Sequence, residues 1–385
     1  MRDFEKMLFA LIRSEINNEK PDSSIIDIIS ASSLNEVFEL ANKHSIVPII
    51  ADVLSKYNLF PDEHTSQLYK KTLFESVILQ EKQSYELKRI SDTFEKCEIA
   101  YIPLKGSFLR NYYSKPWLRT CSDIDVLVHP EDLENAKNEL INLGYKFHFK
   151  GSHDISFFSP SGIHVELHYA IIEENRASNS NEILNEIWDY AEVEKGKYGY
   201  QLLDEMFYFY HIAHMAKHFE NGGCGIRSLI DLWILNHKFV FNKDKRTALL
   251  KEGNLHLFAK EIENLCEIWF SGKDENEFST LLQNYILTGG VFGNIENNVA
   301  IQQQKHGGKF NFILKRIFMP YDKIKNLYPI LKKHKYLLPL FEVYRWFDLI
   351  IKGNLKKSFY EIKTNNTALG ENNINLKEIW DKLGI

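Results

Sequence analysis

Three short stretches of this sequence carry residue types that can do chemistry together. Asp123-Ile124-Asp125 stands in the apolar run Asp123–Val128, Val165-Glu166-Leu167 stands in a second apolar run, and Lys105-Gly106-Ser107 precedes both. In an extended strand, alternate side chains share a face. Asp123 and Asp125 therefore project together, with Ile124 on the opposite side. Two carboxylates held this close repel each other and gain from sharing a divalent cation, and hard oxygen donors suit Mg2+. If the strand of Glu166 pairs beside the first, a third carboxylate reaches the same spot. Three such acids can hold two metal ions about 4 Å apart, the arrangement that supports in-line displacement at phosphorus.

The stretch upstream fits the same chemistry. At Gly106 the backbone can approach a phosphate without a side-chain clash, and Ser107 adds a hydroxyl donor. Both stand at the start of a short helix, whose positive end favours an anion. Lys105 and Arg119 can neutralise further phosphate charge, or can serve as ion-pair partners of the acids.

These residues need elements to position them, and the texture of the chain supplies candidates. Residues 1 to about 97 read as helical: Leu34, Val37, Phe38, Leu40 and Ala41 follow a 3.6-residue period, Val47-Pro48 punctuates, and His64 to Cys97 runs without Gly or Pro. Strand candidates follow at Ile99–Leu104, Asp123–Val128, Tyr145–Phe149, Ile155–Phe158 and Ile163–Tyr169, with a helix at Leu133–Leu143. Helical texture returns at Leu202–Phe219 and Ile226–Phe239, and later breaks fall at Gly289-Gly290, Gly307-Gly308, Pro320 and Pro339. The polar stretch Asn365–Asn373 reads as a loop. This divides the chain into an N-terminal helical region (1–97), an α/β core (98–195) and a C-terminal helical domain (196–385).

Composition excludes several classes. The 385 residues are 44% hydrophobic and 26% charged with 26 Phe and 19 Tyr, enough for a large core, so disorder over most of the chain is excluded. The net charge of −5 argues against a protein built to coat nucleic acid. The charge is uneven, since Lys305–Lys357 carries about +10. None of the four Cys forms a CxxC pair, which excludes zinc-ribbon and thioredoxin-type sites. The first residues carry acids and no apolar core behind them, unlike a signal peptide, and no 18-residue apolar run exists. A cytoplasmic protein is expected.

Taken in order, Gly106-Ser107, a spacer, Asp123-x-Asp125 and a later apolar-acid-apolar strand resemble the DNA polymerase β-type nucleotidyltransferase superfamily. The longer run Leu104-Lys105-Gly106-Ser107…Tyr113…Pro116…Arg119…Asp123-Ile124-Asp125-Val126-Leu127-Val128 resembles a bacterial branch of uncharacterised nucleotidyltransferases. Gly144-Tyr145, Glu166-Leu167-His168, His211…His214…Lys217-His218 and Arg227…Leu229…Asp231-Leu232 extend the likeness. The resemblance implies an α+β fold: a mixed sheet with helices packed on one side, flanked by helical regions. It implies that Asp123 and Asp125 bind two Mg2+ ions, with Mn2+ as a substitute. Glu166 would complete the metal site and accept the proton of the attacking hydroxyl. Gly106 and Ser107 would hold the triphosphate, with Lys105, Arg119 and His168 also lining the nucleotide. The reaction would move a nucleoside monophosphate from an NTP to a hydroxyl or phosphate acceptor and release pyrophosphate. The sequence departs from many superfamily members in having Glu, not Asp, as the third acid, and Glu reaches about one methylene further.

A small-molecule acceptor is the default expectation for an acidic protein. Two rivals stay open: a non-catalytic nucleotide-binding relative, and a toxin-like enzyme that modifies tRNA or protein. His211, His214 and His218 share a helical face, as zinc ligands do, but fit packed, hydrogen-bonded histidines better. His129 stands near the acids at a strand end. Arg227 and Asp231 read as an intrahelical pair. The basic segment 305–357 reads as a helical unit with solvated lysines, with an RNA or membrane surface as the competing reading. Asn at position 123 or 125 is expected to abolish turnover with little change in melting temperature.

Overall fold

The computed structural model describes residues 1–172, 179–291, 293, 318–319, 321–351 and 376–385. The chain opens with helices α1 (Asp3–Asn17), α2 (Ser23–Ile26), α3 (Ala31–Lys43), α4 (Val47–Lys56) and α5 (Glu63–Lys96). Pro48 does not break a helix but stands in the first turn of α4, where its missing N–H costs nothing. The Asp62 side chain accepts from Thr65 N–H (2.8 Å) to start α5. With no Gly or Pro, α5 then runs 34 residues.

The sheet follows: β1 (Tyr101–Pro103), α6 (Lys105–Leu109), β2 (Asp123–Val128), α7 (Leu133–Asn142), β3 (Lys146–Lys150), β4 (Asp154–Phe158), β5 (His164–His168), α8 (Ser180–Leu184), β6 (Ala191–Lys195) and β7 (Gly199–Leu202). Its seven strands lie in the order β3-β4-β5-β2-β1-β7-β6. The β2–β5 and β1–β7 pairings are parallel and the others antiparallel. The hairpin β6–β7 is an addition to the expected strands, since Leu202 ends β7 and does not begin a helix. Helices α9 (Asp204–Glu220), α10 (Ile226–Lys238), α11 (Lys243–Glu252), α12 (His256–Ser271) and α13 (Glu277–Gly289) complete the main body. Further along are α14 (Tyr321–Leu327), α15 (Leu338–Ile351) and α16 (Leu376–Leu383). Residues 305–317, 320 and 352–357 of the basic segment, and the stretch 365–373, lie outside the described residues.

Two cores set the orientation of the sheet. On one face, Ile124, Val126, Val128, Ile155, Phe157, Val165 and Leu167 pack against Ile90 and Phe94 of α5 and against Leu133, Ala136 and Leu140 of α7. Burial of that apolar face fixes the register, because a one-residue slip would turn every side chain over. The odd-numbered residues of β2 are thereby forced onto the other face. There Leu127 and Ile102 join the large core built by the helices before and after the sheet. No described helix is long and apolar enough to cross a membrane.

The helical regions meet at His44, buried at the end of α3. Its Nδ1 accepts from Ile226 N–H (3.2 Å) and its Nε2 lies 3.3 Å from the Leu287 carbonyl. The ring is thus held neutral, and burial pushes its pKa down to about 4. Sign and size follow by linkage. Between about 6.5 and 4 the unfolded chain takes up a proton that the folded one refuses, so stability falls as pH falls through that window. A drop from 6.5 to about 4 corresponds to about 3 kcal/mol. Urea midpoints from pH 7 to 4 should show this loss, and His44→Gln should flatten it; equal slopes for the two proteins would refute the assignment.

Candidate functional site

The face of β2 that carries Asp123 and Asp125 lies beside β5 in parallel register. Asp123 is opposite His164, Asp125 opposite Glu166, and Leu127 opposite His168. Asp125 is buried at 2% exposure, Asp123 and Glu166 are half-buried, and His168 is buried. The carboxylate oxygens and imidazole nitrogens form two sets, Asp123/His164/Glu166 and Asp125/Glu166/His168, and within each all donor atoms lie within 4.8 Å of one another.

Lys105 and His168 meet these acids from two sides. Lys105 opens α6, and Leu104 N–H donates to the Asp125 carbonyl (3.0 Å), which ties the helix start to β2. Lys105 itself sits in the left-handed region, with φ of 45°. For a residue with a side chain this backbone costs about 1–2 kcal/mol, and it coexists with a 2.9 Å contact from Lys105 Nζ to Asp125 Oδ1. From the other side, His168 Nε2 lies 2.9 Å from Asp125 Oδ1 and 3.4 Å from Glu166 Oε2. Burial alone would push the Asp125 carboxyl up, but Lys105 and His168 hold it well below the usual range. Burial alone would push His168 down, but its bonds to Asp125 and Glu166 raise it. Asp123 goes the opposite way: burial, then the adjacent charge of Asp125, raises it. The cation-free site thus holds one well-compensated carboxylate beside a poorly compensated one.

Of the expected site residues, the structure gathers Asp123, Asp125, Glu166, His168 and Lys105. Arg119 is placed elsewhere. Its Nη2 bonds Asp231 Oδ2 of α10 (2.8 Å) and its Nε reaches Asp231 Oδ1 (3.3 Å), with Arg119 7% exposed. Tyr113 OH donates to the same carboxylate (2.7 Å). Asp231 therefore does not form the expected intrahelical pair, and Arg227 donates instead to the Thr120 carbonyl (2.9 Å). A Cβ on Gly106 would strike the Arg119 guanidinium and the Cys121 thiol. That close approach is the structural reason for glycine here. Ser107 is buried, and its hydroxyl has no hydrogen-bond partner among the described residues. Ser107 borders, with Arg110 and Ile124, a cavity of about 560 Å3 beside α5.

Other expected residues also find places. His211 Nε2 lies 3.0 Å from the Ser228 carbonyl, and His214 packs edge-on to His218, with ring centroids 4.5 Å apart. Among the described residues these three form no metal-type cluster. His129 stacks on Trp188 (3.8 Å), beyond the end of β2 far from Asp123. The residue that motif reading overlooked is His164. The alternation His164-Val165-Glu166-Leu167-His168 was its signal, since period two puts all three polar groups on one face.

A mixed sheet here brings a carboxylate pair on one strand against a carboxylate on its parallel neighbour, with Lys105 reaching one of them, and these groups could hold a metal ion. The chain belongs to the family described as uncharacterised nucleotidyltransferase, whose model matches residues 30–271. That span begins just before α3 and ends with α12, so it includes the whole sheet. No curated protein and no solved structure matches the chain.

Proposed function

We propose that this chain transfers a nucleoside monophosphate from an NTP to a hydroxyl acceptor, with divalent cations held by Asp123, Asp125 and Glu166. The observation that carries the reading is the register of β2 against β5, which sets Glu166 directly opposite Asp125 with Asp123 on the same face. The donor set fits divalent cations: Glu166 has carboxylate oxygens within 4.8 Å of Asp123 and of Asp125, and Asp123 is left poorly compensated. Cations bound there would neutralise charge at the α-phosphate and acidify the attacking hydroxyl.

The protein's own groups have separate tasks. Asp123, Asp125 and Glu166 would hold the cations, and the acceptor hydroxyl, acidified by a bound cation, would release its proton to solvent. The acceptor oxygen bonds to the α-phosphorus as the bond to the bridging oxygen breaks, and pyrophosphate leaves. Lys105, 2.9 Å from Asp125, would supply positive charge for the triphosphate. Ser107, with its unspent hydroxyl, supplies a donor at the start of α6. Arg119 acts at one remove, by packing against Gly106 and holding that turn in shape. A small acceptor suits the chain's net charge of −5.

Calorimetry with a non-hydrolysable analogue of each of the four NTPs tests this. At least one should bind in the presence of Mg2+ or Mn2+, and EDTA or Asp123→Asn should abolish the binding. Silence with all four would sink the reading in favour of a non-enzymatic role. Binding of tRNA that weakens steeply with salt would replace the small acceptor by a nucleic acid.

A further inference from the structure

We infer that the cations at this site are held through nitrogen as well as oxygen, one by Asp125, Glu166 and His168 and the other by Asp123, Glu166 and His164. On this assignment the site selects a first-row transition ion such as Mn2+ over Mg2+. The inference rests on the reading of the acids as a metal site. It adds His164 and His168 as ligands and specifies the class of ion.

The geometry of β5 carries it. His164, Glu166 and His168 alternate along one strand and share a face, and each is paired in register with a residue of β2. Glu166 is central, and its two oxygens face opposite ways. Oε1 lies 3.9 Å from His164 Nδ1, and Oε2 lies 3.4 Å from His168 Nε2. Asp125 Oδ1 lies 2.9 Å from the same Nε2. A cation bound at about 2.0–2.2 Å to each donor bridges pairs about 3 Å apart at right angles and slightly over 4 Å apart when opposite. These three separations fall close to that interval, and the donors of the Asp123 set lie within 4.8 Å of one another.

The rings are also held in place. His168 is buried and nearly parallel to His153, with centroids 6.1 Å apart, and the nitrogen it turns toward the carboxylates is the one a cation would meet. His164 leans on Phe158, with centroids 5.2 Å apart. Mg2+ is a hard ion that binds oxygen and gives up water reluctantly. First-row transition ions accept imidazole readily, and their affinities rise from Mn2+ along the series. Exchanging one oxygen for one nitrogen in each set therefore tilts the choice away from Mg2+.

The test uses the full chain with Mn2+ and Mg2+ chlorides. Calorimetry should give Mn2+ an affinity at least about tenfold above that of Mg2+. Pulsed electron paramagnetic resonance of the Mn2+-loaded protein should show directly bound nitrogen. His164→Asp, which swaps a partly exposed nitrogen donor for oxygen, should narrow the preference and weaken the nitrogen signal, with the metal-free melting temperature confirming a folded variant. His168→Asn should do the same where it folds, and the His164 variant alone decides where it does not. Equal affinities, or bound Mn2+ with no nitrogen signal, would overturn the inference and leave the carboxylate metal site standing. Failure of both ions to bind the wild type would overturn both readings.

Discussion

Asp123→Asn is expected to remove nucleotidyl transfer while raising the melting temperature of the cation-free protein. The two effects have one origin. The Asp123 carboxyl is held above its usual range by burial and then by the charge of Asp125. An acid raised in the folded state costs stability whenever it is ionised, so a neutral amide relieves a strain that a bound cation would otherwise relieve. The loss in kcat/KM should exceed about 100-fold, the upper range seen when only an outer partner of a metal ligand is lost. Asp125→Asn should be equally inactive but should melt lower, because it strips Lys105 and the buried His168 of their shared partner. Sequence reading alone expected little change in either melting temperature; burial separates them. Thermal melts in EDTA, run beside turnover assays, check both variants. An active Asp123→Asn, or one that melts lower than wild type, would break the account.

The second large effect lies at the seam between the sheet and the C-terminal helices. Asp231→Ala should destabilise the fold by about 3–5 kcal/mol, the usual consequence of leaving one member of a buried ion pair behind. Three groups converge there: the Asp231 carboxylate, the Arg119 guanidinium and the Tyr113 hydroxyl, all buried. Burial would raise the Asp231 carboxyl, but Arg119 holds it below the usual range. Its contribution is therefore complete above about pH 4 and is lost as pH falls through the depressed value. Denaturant midpoints for wild type and variant should differ most near neutrality and converge in acid. Activity should fall as well, because Arg119 fills the space above Gly106. A variant as stable as wild type at pH 7 would remove Arg119–Asp231 from the list of fold determinants.

Much of this is legible in the sequence, for local reasons. The strand of Asp123 and Asp125 reads correctly because apolar Ile124, Val126 and Val128 occupy one face at period two, and β5 reads correctly for the same reason. The long α5 is legible because nothing in it breaks a helix. What escaped depends on partners far away in the chain. Arg119 and Asp231 are 112 residues apart, and nothing local distinguishes a buried ion pair from a phosphate ligand. His164 gains meaning only from the parallel register with Asp123. The β6–β7 hairpin is polar in sequence and is held from outside: the Glu95 carboxylate accepts from the N–H groups of Lys197, Tyr198 and Gly199.

That clasp, together with the reach of α5, has a practical corollary for anyone wishing to shorten the chain. The first half of α5 buries Tyr69 among the N-terminal helices, while its last turns supply Ile90 and Phe94 to the sheet. A fragment cut at residues 98 and 195 would lose that shared beam, the outer hairpin and Asp231 at a stroke. Strands β2 and β5 would be left with one apolar side in water, and insoluble material should be the outcome. The smallest excised piece that keeps the Asp123–Asp125 face in order should start before α3 and run past α10.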